Sequence, residues 1–187
     1  CSYINVLDNL IADKKIKPVL VVFLDFVKSD QDYFLNKTDE YFTAVCNELV
    51  PFIDAKYNTS KQAKDRVLAG ISGGAHISLL TALKRPDVFL NAAGQSPTTT
   101  EELFDAIDSA SKHRQTKKML KLYFDVGRFD LVQSGIDNNS FLYANQLLSK
   151  ELKNAGINHI FNIFNDGHEW ASWRERIDTI LICFFNK

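Results

Sequence analysis

The fold of this 187-residue chain is decided by Arg66-Val67-Leu68-Ala69-Gly70-Ile71-Ser72-Gly73-Gly74-Ala75-His76-Ile77-Ser78-Leu79-Leu80. The apolar run at 67–71 predicts a strand covered on both faces, and the apolar spacing over 75–83 predicts a helix. Between them, Gly70-Ile71-Ser72-Gly73-Gly74 matches G-x-S-x-G, the turn that presents a nucleophilic serine. The flanking strand and helix favour this interpretation over a structural glycine-rich turn.

The predicted turn has a specific chemistry. The serine takes a strained backbone conformation, so we expect Gly70 and Gly74 both to be needed to avoid collisions. The strain would hold Ser72 Oγ above the edge of the sheet. Negative charge on a reacting group would then be stabilised by the positive end of the following helix and by the backbone N–H of Gly73. Gly73 is therefore the candidate oxyanion donor.

Composition narrows the class of protein. Apolar residues make up 45% of the chain and aromatic residues 12%, enough for one sizeable core, so we expect a single domain over residues 1–187. The 22 basic and 23 acidic residues leave a net charge of −1, which argues against binding to nucleic acid or anionic lipid. The chain shows no 18-residue apolar span and no signal peptide, and nothing indicates a membrane role. Cys46 and Cys183 lie in helical apolar patterns and are expected to be packing thiols.

Strand and helix patterns alternate along the chain. Two residues predict interruptions of helices. Pro51 should kink or restart the helix at 39–53, and Gly156 should end the helix that precedes it. Such alternation predicts an α/β fold with a mostly parallel sheet, helices on both faces, and ligand binding at the carboxyl edge of the strands. The predicted strands are 18–25, 67–71, 89–96, 119–126 and 159–164, and the predicted helices are 4–15, 39–53, 75–83, 101–111, one from a cap at Asn138 or Asn139 to 155, and 170–185.

An acid and a histidine are expected at the same edge as Ser72, in the chain order serine, acid, histidine. Asp130 lies just beyond the strand that ends near Gly127, and His168 lies just beyond the last strand. In these positions His168 would take the proton of Ser72 and later protonate the leaving group. Asp130 would orient the imidazole and stabilise its charged form.

Other residues of the same types are alternatives for these roles. Asp125 lies in or at the end of its strand, and Asp137 lies deeper in the following loop. Among the other histidines, His76 is expected to pack behind the nucleophile, His113 to be solvated, and His159 to start a strand at the far edge. Asp130 and His168 are therefore the preferred acid and base.

Residues next to His168 have alternative interpretations. Asp166 and Glu169 are expected to be a loop acid and a helix-start acid. Trp170 and Trp173 are expected to anchor the closing helix, although Trp170 could instead line the substrate cleft. The sequence contains no cluster with metal-ligand spacing and no phosphate-binding loop, so we expect neither a metal nor a cofactor.

Several motifs together resemble the putative esterase family, the α/β-hydrolase group that contains enterochelin-type siderophore esterases, feruloyl and acetyl-xylan esterases, esterase D and the antigen-85 mycolyltransferases. The resemblance covers essentially the whole chain, and its ending looks most like the enterochelin esterase-like branch. An arginine often found in the family is missing near 37–40. The motifs that carry the resemblance are Leu7-Asp8-Asn9-Leu10-Ile11-Ala12, Val21-Val22-Phe23-Leu24-Asp25, Glu48-Leu49-Val50-Pro51-Phe52-Ile53, Ala69-Gly70-Ile71-Ser72-Gly73-Gly74, Gly167-His168-Glu169-Trp170 and Trp173-Arg174.

The resemblance implies an α/β-hydrolase fold with Ser72 as nucleophile, Gly73 as oxyanion donor, Asp130 as acid and His168 as base. It also implies that a strand and an Asp-Gly-type loop, the source of a second oxyanion N–H, come before the first helix. That strand would lie between the strands at 18–25 and 67–71. We therefore expect that Cys1 is not the biological start and that a preceding segment or another polypeptide fills the gap. Without the second donor, turnover would fall by about 10²–10³-fold.

The activity that these observations predict is serine carboxylic-ester hydrolysis through an acyl-enzyme. The expected substrates are small-molecule or saccharide esters, either siderophore lactones or feruloyl and acetyl esters of sugars. Two alternatives remain open, an acyltransferase of the same family and a non-catalytic binding module that kept the fold. The sequence leaves the compartment and a homo-oligomeric state open.

Overall fold

The computed structural model of the protein describes residues 2–24, 37–132 and 140–186. A π-helical turn at Thr43–Leu49 leads into the third helix, and a 3₁₀ turn at Ala63–Asp65 leads into the sheet. The helices are named here in chain order: α1 Ser2–Ala12, α2 Thr38–Phe42, α3 Val50–Lys56, α4 Gly73–Lys84, α5 Glu101–Ser111, α6 Arg114–Met119, α7 Phe141–Ala155, α8 Trp170–Arg174 and α9 Ile177–Phe185.

In the described ranges, four parallel strands form one sheet, and their order across the sheet is their order along the chain. Their register aligns Gly70 of the first with Gly94 of the second and Phe124 of the third. All four strands end at the same edge, as the alternation predicted, and Ser72, Asp130 and His168 lie beyond the ends of three of them. The strands are β1 Val67–Ile71, β2 Asn91–Gln95, β3 Lys121–Gly127 and β4 His159–Phe164.

Helices cover both faces of the sheet. On one face, Ala92, Leu122 and Phe124 belong to the core formed with α4, α5 and α7. On the other, Ala93 and Tyr123 pack with α9, which in turn contacts α1. Neighbouring strand residues point to opposite faces, so one strand contributes to both cores. The prediction of a parallel sheet between two helical layers is confirmed.

The predicted strand at 18–25 is wrong for its described part. Residues 17–24 form no ladder, and each side chain from Leu20 to Leu24 is 40–57% exposed. The segment is held at its start, where Ile16 bridges Asn186, and further along, where the rings of Phe23 and Tyr3 contact at 6.1 Å. A β-branched apolar run only favours extended backbone, and a strand also needs a neighbour to pair with.

The observed helices differ from the predicted ones at several points, among them the start of α7, the helix α6 and the closing helix. Helix α7 is capped by Ser140, whose Oγ accepts the N–H of Tyr143, and not by Asn138 or Asn139, which lie outside the described residues. Helix α6 was not predicted because its sequence, Arg-Gln-Thr-Lys-Lys-Met, has no apolar stripe and none of its residues is buried. The closing helix is two helices, separated at Glu175 and Arg176.

The local predictions for Pro51, Gly156 and the two cysteines are confirmed. Pro51 lies at the start of α3, directly after the π-helical turn, so it does restart the helix. Gly156 ends α7 in a left-handed conformation, with φ of 70°. Cys46 is a buried free thiol and Cys183 a half-buried one. In the ranges that the structure describes, no helix combines the length and apolar character needed to cross a membrane.

Candidate active site

Ser72 occupies a strained turn between β1 and α4. Its φ is +56°, a backbone conformation that a residue other than glycine rarely adopts. The turn is tied to the end of β2, because the Ser72 N–H donates to the carbonyl of Gln95 at 2.9 Å. The conformation predicted for the serine is therefore present, and Gly73 follows it as the first residue of α4.

The two glycines of the turn differ in what they leave room for. A Cβ on Gly70 would lie 2.2 Å from the carbonyl oxygen of Gly74, a distance that no real side chain tolerates. A Cβ on Gly74 would meet nothing within 4 Å. The expectation is thus confirmed for Gly70 and wrong for Gly74. The close approach is a single contact between the Cα of Gly70 and the backbone of Gly74. Only a side chain on residue 70 would enter that contact, so glycine is needed at 70 and not at 74.

His168 lies in the loop between β4 and α8, and this loop is seated against the end of β3. The N–H of Phe129 donates to the carbonyl of Asp166 at 2.9 Å, and the N–H of Arg128 donates to Phe164 at 2.7 Å. A Cβ on Gly127 would lie 2.4 Å from the Asp166 carbonyl oxygen. Glycine at 127 therefore allows the loop that carries His168 to approach the loop that carries Asp130.

The structure brings Ser72, His168 and Asp130 into one hydrogen-bonded row. His168 Nε2 lies 3.1 Å from Ser72 Oγ, and His168 Nδ1 lies 2.6 Å from Asp130 Oδ1. The first distance is within range for the transfer of a proton from the hydroxyl to the imidazole, and the second lets Asp130 accept a hydrogen bond from His168 Nδ1. The three residues come from the ends of three different strands, as the chain order of the sequence predicted.

The Asp130 carboxylate is buried, yet it is held in its charged form. Burial alone raises the pKa of a carboxyl group. Hydrogen bonds from His168, from the Ser96 hydroxyl and from the backbone N–H of Leu131 outweigh that effect and hold the pKa of Asp130 below its ordinary value. A carboxylate that is ionised at neutral pH is suited to orienting the imidazole and to stabilising it when it gains a proton.

Two aromatic rings fix the plane of the imidazole. The ring of Trp173 contacts that of His168 edge-on, with centroids 4.8 Å apart, and the ring of Phe141 does so at 5.2 Å. Trp173 is buried, as predicted for an anchor of the closing segment. Trp170 is 62% exposed, so the same expectation is wrong for it. Its ring stands 6.1 Å from that of Trp173, at the open side of the site.

The other candidates of the sequence lie elsewhere. His76 is buried in α4 with Nδ1 3.1 Å from the Thr98 carbonyl, and burial lowers its pKa, so it packs as expected. His113 is exposed, and His159 starts the edge strand β4, where it contacts Ser149. Asp137 lies outside the described residues.

The remaining acids are a buried strand residue and two ordinary loop acids. Asp125 is fully buried in β3, and burial, only partly offset by Arg176 and Tyr123, raises its pKa to about 6. Asp166 pairs with Arg176, and Glu169 is exposed directly before α8. None of these carboxylates contacts His168 in the described hydrogen bonds.

Sequence reasoning missed two buried supports of the site. Arg176 lies between the carboxylates of Asp125 and Asp166 and stacks on Phe164, with 4.4 Å from guanidinium to ring centroid. Ser96 lies just beyond β2 and donates to Asp130 at 2.6 Å. No pattern in the sequence separates Arg176 from its charged neighbours Arg174, Glu175 and Asp178, and Ser96 gives no signal beyond its position at the end of a strand. Among the described residues, no group of three His, Cys, Asp or Glu is placed to hold a metal ion.

Comparison with known proteins agrees with this fold. The chain is 31% identical over 148 residues to the uncharacterized protein YjcH of Bacillus subtilis, an alignment that covers 78% of this chain and 60% of YjcH. Its structure superposes on a ferulic acid esterase with a TM-score of 0.75 at 15% identity, over 98% of this chain and 77% of that one. It also superposes on the enterochelin esterase of Shigella flexneri with a TM-score of 0.75 at 21% identity, over 94% of this chain and 45% of that one.

These likenesses to solved structures show the α/β-hydrolase type of fold, with its sheet between helical layers. The chain spans about 60% of the length of YjcH. The family model described as "Putative esterase" matches residues 3–184, nearly the entire chain. The resemblance inferred from the motifs is thereby confirmed, and the chain belongs to this esterase family.

Proposed function

We propose that the protein is a serine carboxylic-ester hydrolase that acts through an acyl-enzyme at Ser72. The observation that carries this proposal is the row of two contacts, 3.1 Å from Ser72 Oγ to His168 Nε2 and 2.6 Å from His168 Nδ1 to Asp130 Oδ1. The strained turn that lifts Ser72, and membership of an esterase family, support it.

The residues divide the reaction between them. Ser72 Oγ attacks the ester carbonyl while His168 Nε2 takes the hydroxyl proton, and the resulting oxyanion faces the N–H of Gly73 at the start of α4. As the C–O bond breaks, His168 gives that proton to the departing alcohol. Water then attacks the acyl-enzyme and loses a proton to His168. As the bond between the acyl group and Ser72 Oγ breaks, the acid is released and His168 returns that proton to Ser72 Oγ. Asp130 accepts a hydrogen bond from His168 Nδ1, so the proton on Nδ1 stays in place while Nε2 takes up and releases protons.

The substrates we propose are esters of aromatic acids or acylated sugars, or siderophore lactones. The names of the two superposed structures, a ferulic acid esterase and an enterochelin esterase, support this range. The exposed ring of Trp170 contacts Trp173, whose ring in turn contacts His168, and it offers a flat apolar surface. Such a surface suits an aromatic acyl group, and neither a metal nor a cofactor is needed for the chemistry.

The test compares the chain with two serine variants. We expect the chain to hydrolyse p-nitrophenyl acetate and methyl ferulate, and Ser72→Ala to lower turnover by about 10⁴–10⁶-fold. Ser78→Ala is the matched control, because this buried serine donates only to the Gly74 carbonyl of its own helix at 2.7 Å. Covalent labelling with a fluorophosphonate, followed by peptide mapping, should modify Ser72 alone. Hydrolysis that survives in Ser72→Ala, or a folded chain that neither hydrolyses nor labels, would contradict the proposal.

A further inference from the structure

Asp130 is held through both of its carboxylate oxygens. Oδ1 accepts from His168 Nδ1 at 2.6 Å and from the N–H of Leu131 at 2.7 Å. Oδ2 accepts from Ser96 Oγ, also at 2.6 Å. Ser96 is completely buried, so no bulk water competes for this bond. Loss of the Ser96 hydroxyl would leave one side of a buried carboxylate without that donor, a costly arrangement for a charged group.

The direction of the Ser96 hydroxyl is set by Trp173. The indole Nε1 lies 3.1 Å from Ser96 Oγ, and an indole N–H can only donate. Ser96 Oγ therefore accepts from Trp173, and its single proton is directed to Asp130. The result is a buried chain of donors that runs from Trp173 through Ser96 to the carboxylate.

Trp173 contacts both ends of the acid–base pair. Its indole N–H donates to the Ser96 hydroxyl, which in turn donates to Asp130, and its ring lies against that of His168, with centroids 4.8 Å apart. The Trp173 carbonyl also accepts from the side-chain amide of Gln95 at 3.0 Å, and Gln95 precedes Ser96. Two hydrogen bonds thus join the end of β2 to the helix that follows His168. A shift of Trp173 would disturb the acid and the base together.

Ser96 reaches Asp130 from an unusual backbone conformation. Its φ is +51°, in the left-handed region, which costs a residue other than glycine on the order of 1 kcal/mol. The conformation is held by the Ser96 N–H, which donates to the Asp125 carbonyl at 2.7 Å. Strain of this kind persists where the surrounding structure over-determines it, and it is concentrated at functional sites.

We propose that Ser96 is a positioning residue for Asp130, and that Trp173 sets the direction of its hydroxyl. This inference rests on the proposed function. With both oxygens held, the carboxylate cannot rotate away from His168 Nδ1, so the imidazole keeps the orientation that the reaction at Ser72 requires. Ser96 does not touch the substrate or the reacting atoms.

The kinetic test removes the hydroxyl in two ways. Ser96→Ala and Ser96→Gly both lack it, but glycine also relieves the positive φ, so the two variants differ in backbone strain. We expect kcat to fall about 10–100-fold in both, the range for a lost hydrogen bond to a charged group, with KM within about twofold. Ser78→Ala, another buried serine, should keep wild-type values. If Ser96→Gly is folded and turns over at the rate of Ser78→Ala, the proposal is overturned.

A second variant tests the part played by Trp173. Trp173→Phe keeps a ring against His168 but removes the N–H, and we expect kcat to fall about 2–10-fold, as for a neutral hydrogen bond. In a Ser96→Ala background the same change should have almost no further effect, because no hydroxyl is left to orient. Additive losses in the double variant would show that Trp173 does not act through Ser96.

A spectroscopic measurement does not depend on turnover. The proton between His168 Nδ1 and Asp130 should give a far-downfield ¹H NMR resonance in the wild-type chain. We expect this resonance to move or to broaden beyond detection in Ser96→Ala, and to stay in place in Ser78→Ala. A resonance that is unchanged in Ser96→Ala would refute the positioning role, whatever the activity of that variant.

The proposed function and this inference can fail separately. Activity that survives in Ser72→Ala removes the proposed function, and the positioning role falls with it. Activity that disappears in Ser72→Ala but is the same in Ser96→Ala as in Ser78→Ala leaves the esterase mechanism in place. That second result would overturn only the role assigned to Ser96.

Discussion

The two glycines of the serine turn provide a sharp test because the same substitution has opposite expected effects four residues apart. A Cβ on Gly70 would lie 2.2 Å from the Gly74 carbonyl oxygen and 2.3 Å from its carbon. An ordinary contact needs about 3.5 Å, so the two backbone segments would have to separate by about 1.3 Å. Overpacking of this kind costs about 1–3 kcal/mol, and we expect Gly70→Ala to reach the upper end of that range.

Activity should fall with Gly70→Ala even where the protein stays folded. Ser72 lies between the segments that would move apart, and a displacement of about 1 Å at a reacting group costs on the order of 10²-fold in rate. Gly74→Ala should lower neither the stability nor the activity. Its Cβ meets open space, its φ is not positive, and alanine in a helix is more stable than glycine by about 0.5–1 kcal/mol.

Urea denaturation followed by circular dichroism measures the free energy of unfolding of both variants, and p-nitrophenyl acetate hydrolysis measures kcat/KM. We expect Gly70→Ala to lose stability and activity, and Gly74→Ala to match or exceed the stability of the wild type. A Gly70→Ala protein with wild-type stability and rate would refute the steric argument. A Gly74→Ala protein destabilised by more than about 1 kcal/mol would show that the space beside Gly74 is not open.

Three other predictions concern the surroundings of the site. The pKa of Asp130 is lowered by folding, so its ionisation stabilises the fold above the unfolded pKa, and this contribution is lost as the pH falls through the folded pKa. Asp130→Asn should therefore lower the free energy of unfolding more at pH 7 than at pH 3. Equal losses at the two pH values in urea titrations would contradict this. Arg176→Met leaves Asp125 without its buried partner and should cost about 3 kcal/mol, with part recovered on adding Asp125→Asn; additive losses in the double variant would count against the pairing. Trp170→Ala should leave the urea midpoint unchanged, because the side chain is 62% exposed, but should raise KM for methyl ferulate more than for p-nitrophenyl acetate, and equal KM changes would remove Trp170 from the acyl site.

The fold could be predicted where local signals and burial agree. The run at 67–71, the glycine-serine turn and the apolar spacing after it were enough to predict β1, Ser72 and α4, and Gly156 was enough to predict the end of α7. The segment at 18–24 shows where prediction from local signals fails. Its residues favour a strand, but pairing depends on a neighbour, and in the described structure the segment lies by α1 and α9 with its apolar side chains exposed.

The sequence by itself determined the class of fold, the chain order of serine, acid and histidine, and the edge of the sheet at which they would meet. These follow from periodicity and from the rule that parallel strands end at one edge. Only the tertiary structure decided the supports: that Gly70 and not Gly74 is sterically required, that Arg176 joins two carboxylates, and that Ser96 donates to Asp130 and accepts from Trp173. The pairs Ser96–Asp130, Arg176–Asp125 and Trp173–Ser96 are 34, 51 and 77 positions apart. Side-chain direction at such separations is set by packing, which no local pattern encodes.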